Sequence, residues 1–360
     1  MSNRRNNAKG QGTEVGKELR APQSEAFHGV QLSLFQHFLC NTEDERARLS
    51  NTIELWDGVP KYFVSRKEMN ELRTDGFLPT IEREFVFRGR GFRVRIRPAR
   101  LADENDRDKE FYPSAREELV EDALRKIAVE QNYGFYDDTP PNQQSGVVFS
   151  LHMLRRELSS RGHSLSYQEV IESLDILSGC HVGIIAADGK GDYQAPILSG
   201  LLRVSRREYR EDHNARWVAF FNPLVTQSIR MLTYRQFDYQ RMMSHRSQLA
   251  RWLHKRLAHN YSNASLTDHY TITFSAIRRD SGLLEYKRMR DAVRKLDDAF
   301  HELQERQVLM SFNRKEKRGA RNAIIEVTYS LMPHHKFIGS VRAANKRRTD
   351  AVASIEVGRR

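Results

Sequence analysis

Five cations crowd the start of one amphipathic stretch of this chain: Lys287, Arg288, Arg290, Arg294 and Lys295. They fall off the stripe made by Met289, Val293, Leu296, Phe300 and Leu303, which recur at steps of three or four. Positive side chains at a helix start oppose the helix dipole. The placement therefore calls for an external polyanion, and the major groove of DNA is a surface into which a helix fits. Bond-making chemistry is poorly provided for. The thirteen histidines are scattered, and the adjacent pair His334-His335 has no Cys or carboxylate at ligand spacing. The two cysteines, Cys40 and Cys180, are far apart and form no Cys-x-x-Cys unit. A nicking or rolling-circle enzyme needs a histidine-held metal beside a nucleophilic Tyr, but there is no His-x-His and the tyrosines are dispersed. No metal, cofactor or catalytic residue is expected, and the chain reads as a non-enzyme.

The elements that must hold those cations lie between Tyr270 and Leu331. A short helix is broken by Ser281-Gly282, the long amphipathic helix follows, and two alternating strands close the stretch about a basic turn, Asn313 to Arg321. Helix, turn, helix and charged hairpin is the order of a winged helix. From residue 278 to 321 there are thirteen cations against eight acids, a good part of the chain's formal net charge of +12.

A second unit with the same order occupies about 113 to 230. Ser114 with Glu117 and Ser166 with Glu169 are capping boxes for two of its helices, and Ser150 caps a third. HVGIIAADGKGDYQAPILSGLLRVS reads as two strands about Asp188-Gly189, with ARWVAFFNPLVTQSI as a further strand and helix. Its second helix, SYQEVIESLDILSG, carries Glu169, Glu172 and Asp175 and no cation. That helix is unsuited to a DNA groove, so this unit is expected to pack, dimerise or touch phosphate at its flanks. Ahead of it, IELWDGVPKYFVS reads as two strands, Ser65 caps a helix with Glu68, and EREFVFRGRGFRVRIRPARL is a hairpin with Arg88, Arg90, Arg93, Arg95 and Arg97 on its charged positions. Residues 231 to 269 bridge the units with helices at Phe237 to Met243 and Ser247 to His259.

The fold expected is thus α+β: tandem winged-helix domains with a smaller β-rich N-terminal region and disordered termini. The boundaries are a disordered basic arm over 1–29, the N-terminal region over 30–112, the first winged helix over 113–230, the second, DNA-reading one over 231–332, and a weakly structured basic tail over 333–360. No apolar run nears the roughly 20 residues of a membrane span, and residues 1 to 20 lack a signal-peptide core. A soluble, cytoplasmic bacterial protein with no membrane partner is the expectation.

Two resemblances sharpen this. Gln31-Leu32-Ser33-Leu34-Phe35 resembles the clamp-binding motif of bacterial polymerases and some replication proteins, in which Gln anchors backbone and Leu and Phe enter apolar pockets. Asn222-Pro223-Leu224, the helix Leu249 to His254 and the unit Thr271–Gln307 resemble the C-terminal half of iteron-binding plasmid replication initiators of the RepC and TrfA kind. The resemblance covers about residues 145 to 330. It implies binding to repeated duplex sites at an origin, opening of the origin with exposure of single-stranded DNA, recruitment of the sliding clamp and helicase-loading machinery, and monomer–dimer self-association. On this reading Lys287, Arg288, Arg290, Asp291 and Arg294 meet base edges. Lys295, Arg314, Lys315, Lys317, Arg318 and Arg321 hold phosphates. A transcriptional regulator of the same architecture is the alternative, and it has no need of the clamp string or of strand opening.

Overall fold

The computed structural model describes residues 48–102, 107–130, 133–137, 143–204, 215–231 and 233–358. Gln31–Phe35, Cys40 and the basic arm lie outside the described residues. Two apolar cores organise the chain, one around residues 53 to 258 and one around residues 249 to 341.

The first core begins with β1 (Leu49–Ile53), α1 (Glu54–Gly58) and α2 (Arg66–Leu72). Where the sequence pattern predicts two strands about Asp57-Gly58, the chain instead turns through α1. The Asp57 carboxylate accepts from the Ile53 amide at 2.7 Å and the Thr52 hydroxyl at 2.6 Å, which tightens the turn, and Trp56 is fully buried. Ser65 and Glu68 make the expected capping box. β2 (Ile81–Phe87) and β3 (Arg90–Arg97) form the arginine-rich hairpin, followed by the small pair β4 (Ala99–Ala102) and β5 (Asp108–Phe111).

The first winged-helix unit follows as α3 (Ala115–Val129), β6 (Gly134–Asp137), β7 (Gln144–Phe149), α4 (Leu151–Ser160), α5 (Tyr167–Gly179), β8 (His181–Ala186) and β9 (Asp192–Pro196). After it come β10 (Leu198–Leu202), β11 (Trp217–Phe221) and α6 (Pro223–Arg230). Its strands divide between the sheets β10-β11-β7-β6 and β2-β3-β8-β9. β3 pairs with β8 through Phe92↔Ala186 to Arg97↔His181, so a boundary at 112 would cut through one sheet. The wing of this unit pairs with the hairpin's open edge at β3, and Phe85, Val94 and Ile96 on the hairpin's apolar side are buried in the first core. β1 is likewise completed from far along the chain, by β12 (Tyr234–Asp238). The bridge segment predicted to be helical from Phe237 is therefore a strand up to Asp238, with α7 (Tyr239–Met243) after it. The strand pairing of β1 outweighs local helix preference there.

The second unit is α8 (Gln248–Asn260), β13 (Tyr270–Thr273), α9 (Phe274–Ser281), α10 (Met289–Glu305), β14 (Leu309–Arg318) and β15 (Ile324–Pro333), with sheet order β13-β15-β14. That is the winged-helix order, as expected. The chain does not trail off after it: α11 (His335–Gly358) replaces the weakly structured tail. Phe337, Ile338 and Val341 are buried in the second core. Asn345 accepts from Arg235 at 2.9 Å and donates to the Ser262 carbonyl at 2.8 Å, tying the helix to β12 and to the loop after α8.

Candidate nucleic-acid interface

Gly282 ends α9 in the left-handed region (φ 69°), its amide bonded to the Arg278 carbonyl at 3.1 Å. The chain then runs on to Arg288, which stands at the N-cap of α10 without offering a side-chain cap. Lys287 and Arg288 thus precede the helix instead of riding on its first turn. Ala292, Val293, Leu296, Ala299, Phe300 and Leu303 are buried against α8 and the sheet. Lys287, Arg288, Arg290 and Arg294 are exposed on the other side, with Asp291 and Lys295 half-buried beside them. Arg294 lies 3.6 Å from Asp291, but with 75% of its side chain exposed the pair is largely screened. Among the described residues Lys287, Arg288, Arg290 and Lys295 have no acidic or hydrogen-bonding side-chain partner. Four unspent cations meet at the end of a helix whose own dipole is positive, and an anion from outside is what that arrangement lacks.

The wing divides the cations expected on phosphate. Arg314 is ion-paired to Asp297 of α10 and lies 3.3 Å from Glu316, while Arg318 lies 2.5 Å from Glu316 and donates to the Asn322 carbonyl at 3.2 Å. Asp297 also accepts from the buried Tyr329 hydroxyl at 2.9 Å. Burial pushes the Asp297 carboxyl above its usual range, against the pull of Tyr329 and Arg314. Arg314 therefore braces the wing against α10, while Arg318 ties the tip of the wing to itself. Lys315 and Lys317 stand across from Thr328 and Glu326 in the strand register, and neither has a partner among the described residues. The turn is shorter than Asn313 to Arg321, because β14 runs on to Arg318. Arg321 sits at the tip, exposed and in the left-handed region (φ 56°). Of the six residues expected on phosphate, Lys295, Lys315, Lys317 and Arg321 are unspent, and only Arg314 and Arg318 are held internally.

Residues that the sequence pattern leaves out hold this unit in place. Arg83 of β2 donates to the Arg278 carbonyl at 3.0 Å and the Arg279 carbonyl at 3.2 Å, and pairs with Glu285 at 2.5 Å, so the end of α9 is capped from the other unit. The Asp280 carboxylate is buried and accepts from the Val86 amide at 3.0 Å and Arg279 at 2.7 Å, with Arg256 3.0 Å away. A methyl at Gly282 would meet Phe63 at 2.7 Å. Deeper in the junction, Lys255 of α8 lies 3.1 Å from Glu118 and 2.5 Å from Asp122 of α3. Burial alone would push Lys255 down, yet those two carboxylates raise it above the usual lysine range. Arg125 lies 2.8 Å from Asp57 and 2.7 Å from Asp122, and the Trp56 indole donates to Glu121 at 2.6 Å. The stripe Leu119, Ala123, Leu124 and Ile127 predicted for α3 is buried as expected. Its charged face is buried as well, because α8 and α1 cover it. No periodicity marks this, since Glu118 and Asp122 are more than a hundred residues from Lys255.

Among the described residues, the second helix of the first unit, α5, presents no comparable face. Glu172 of α5 is bound by Arg66 at 3.4 Å and Arg116 at 3.1 Å, Asp175 is paired with Arg203, and Ala99 of β4 packs on Gly179. The arginine row of β3 is partly neutralised: Arg93 and Arg95 lie 3.2 and 2.6 Å from Glu82, and Arg88 is paired with Glu54. Among the described residues there is no group of three metal-ligating side chains. Cys180 is buried and donates to the Arg97 carbonyl, and burial raises its thiol far above the range of a nucleophile. No described helix is long and apolar enough to cross a membrane.

Fold and site together define a tandem winged-helix protein whose second unit carries a solvent-facing cationic helix. Among solved structures it is similar to domains 2 and 3 of RctB, at 11% identity and a TM-score of 0.48 over 77% of this chain and 97% of that one. A second structure of the same RctB domains gives 9% and 0.42 over 72% and 94%. It is also similar to the Pi initiator protein in complex with iteron DNA, at 10% and 0.40 over 81% and 99%. No family model and no curated protein matches the chain.

Proposed function

We propose that this chain is a plasmid replication initiator that binds repeated duplex sites at an origin through α10 and its wing. What supports the reading is the group of unpaired cations, Lys287, Arg288, Arg290 and Lys295, at the head of the second helix of a helix-turn-helix. α10 enters the major groove by this end, with Lys287, Arg288, Arg290, Asp291 and Arg294 at base edges. Lys295, Lys315, Lys317 and Arg321 bind phosphates, while Arg314 ties the wing to the helix and Arg318 holds the wing's own tip. Origin opening, single-stranded DNA and recruitment of the clamp and helicase-loading machinery follow from the resemblance to iteron-binding initiators, the clamp being engaged through Gln31, Leu32, Ser33, Leu34 and Phe35.

The test is a footprint on the directly repeated sites beside the gene. Replacing Lys287 and Arg290 by Ala is expected to remove protection, since each well-placed side chain on a base edge is worth about 1–3 kcal/mol, while the circular dichroism spectrum stays unchanged. Undiminished protection by the double variant would sink the reading. Permanganate reactivity of thymines next to the repeats separates an initiator, which opens the duplex, from a regulator, which leaves it closed.

A further inference from the structure

Between the two units lies a cleft of about 260 Å³, bounded by α1, the β2–β3 turn, α8 and α9. Its buried acids are already used. Asp280 accepts from Arg279 at 2.7 and 3.1 Å and from the Val86 amide at 3.0 Å, with Arg256 3.0 Å away. Asp57 is taken by Thr52, the Ile53 amide and Arg125, at 2.6 to 2.8 Å. Its cations are not used up. Arg88 engages Glu54 through one terminal nitrogen, Arg256 engages Asp280 through one, and Arg279 engages Asp280 through one edge. The Asn260 side chain has no hydrogen-bond partner among the described residues. Three guanidinium groups with donors to spare thus face a cavity whose carboxylates, Glu54 apart, are spent. Two of them stand over aromatic rings of the same lining, Arg88 over Phe87 at 5.6 Å and Arg256 over Trp252 at 5.1 Å.

A cavity rich in unspent donors takes an acceptor, and fork-shaped donors at several angles match phosphate oxygens. We infer that this cleft binds a small phosphate-bearing anion that bridges Arg88 of the first unit to Arg256 and Arg279 of the second, holding the units in one relative placement. The phosphate comes either from a free small molecule or from a DNA backbone. The site is separate from the face of α10 and does not depend on what that face binds.

Inorganic pyrophosphate is the probe, with the full-length protein and with chloride of equal ionic strength as control. Pyrophosphate is expected to raise the melting temperature of the wild type and to quench tryptophan fluorescence. Arg88→Gln and the double variant Arg88→Gln/Arg279→Gln are expected to weaken its binding by roughly tenfold or more, as removal of charge-assisted bonds should. Arg88 is 64% exposed, so the single variant keeps the test open if the double one fails to fold. Lys287→Ala/Arg290→Ala must retain the pyrophosphate effect. Displacement of bound pyrophosphate by saturating origin duplex assigns the phosphate to DNA, and simultaneous binding assigns it to a free anion. An effect matched by chloride, kept in full by both Arg88 variants, or abolished in Lys287→Ala/Arg290→Ala overturns the inference. Those results leave the origin footprint, and the proposal built on it, untouched.

Discussion

At the residue scale, cations that look alike in sequence separate into those spent inside the protein and those left for a partner. Arg314 and Arg318 are tied to Asp297 and Glu316, whereas Lys317 and Arg321 are not. Replacing Lys317 or Arg321 by Ala is expected to weaken binding to all duplex sequences alike and to lower the slope of log K against log salt by about 0.9 for each phosphate no longer neutralised. Arg314→Ala should instead lower the melting temperature, because it leaves the half-buried Asp297 with Tyr329 alone. Filter binding over a salt series and a thermal melt distinguish the two behaviours. Three histidines near the junction make a pH prediction. Burial lowers His245 and His259 to about 3 and drives His254 well below its usual value, with neighbouring cations adding to the effect. Asp57 beside His259 works the other way, and Glu302 stands 4.0 Å from His245. Folded, these rings stay neutral; unfolded, they take up protons near pH 6.5. Stability is therefore expected to be intact above that value and to fall as the pH drops from about 6.5 toward 5, by up to about 1.4 kcal/mol per pH unit for each ring. A flat urea midpoint from pH 7 to 5 would contradict the buried neutral rings.

At the element scale, the helix that leads into α10 is held by groups outside its own unit. The end of α9 is capped by Arg83 from β2, and Gly282 sits against Phe63. Gly282→Ala must hold an L-residue in the left-handed region and also push into that ring. A loss of about 1–3 kcal/mol is expected, read as a lower urea midpoint with an unchanged slope. Lys255→Met is expected to cost more, about 3–5 kcal/mol, because Glu118 and Asp122 would be left buried without their cation. Both variants test whether the units are held together, without touching the face of α10.

At the scale of the whole molecule, the second helices of the two units differ: among the described residues α10 carries unpaired cations and α5 carries none. The first unit's second helix is acidic, paired to Arg66, Arg116 and Arg203, and packed under β4, so it serves the interior. α11 runs from the second core to β12, and the buried ion cluster joins α3 to α8. The two units are thereby joined through α3, α8, β12 and α11. Removing α11 by truncation after Pro333 is expected to expose Phe337's site in the second core and to lower the melting temperature well before duplex binding at low temperature disappears.

Local pattern alone determined a good deal. The capping boxes at Ser65, Ser114 and Ser166, the stripe of α10, the break at Gly282 and the two charged hairpins are legible because each depends on residues a few positions apart. Arg290, Arg294 and Lys295 ride on α10 as their spacing predicts, Lys295 half-buried, whereas Lys287 and Arg288 precede the helix. What only the tertiary structure decided rests on pairing across distance: β3 joined to β8, β1 to β12, and Lys255 driven between Glu118 and Asp122. It also decided which cations are free. A salt bridge between residues far apart in sequence leaves no periodic trace, and a strand's face or a helix's charged side is buried or open according to what the rest of the chain brings against it.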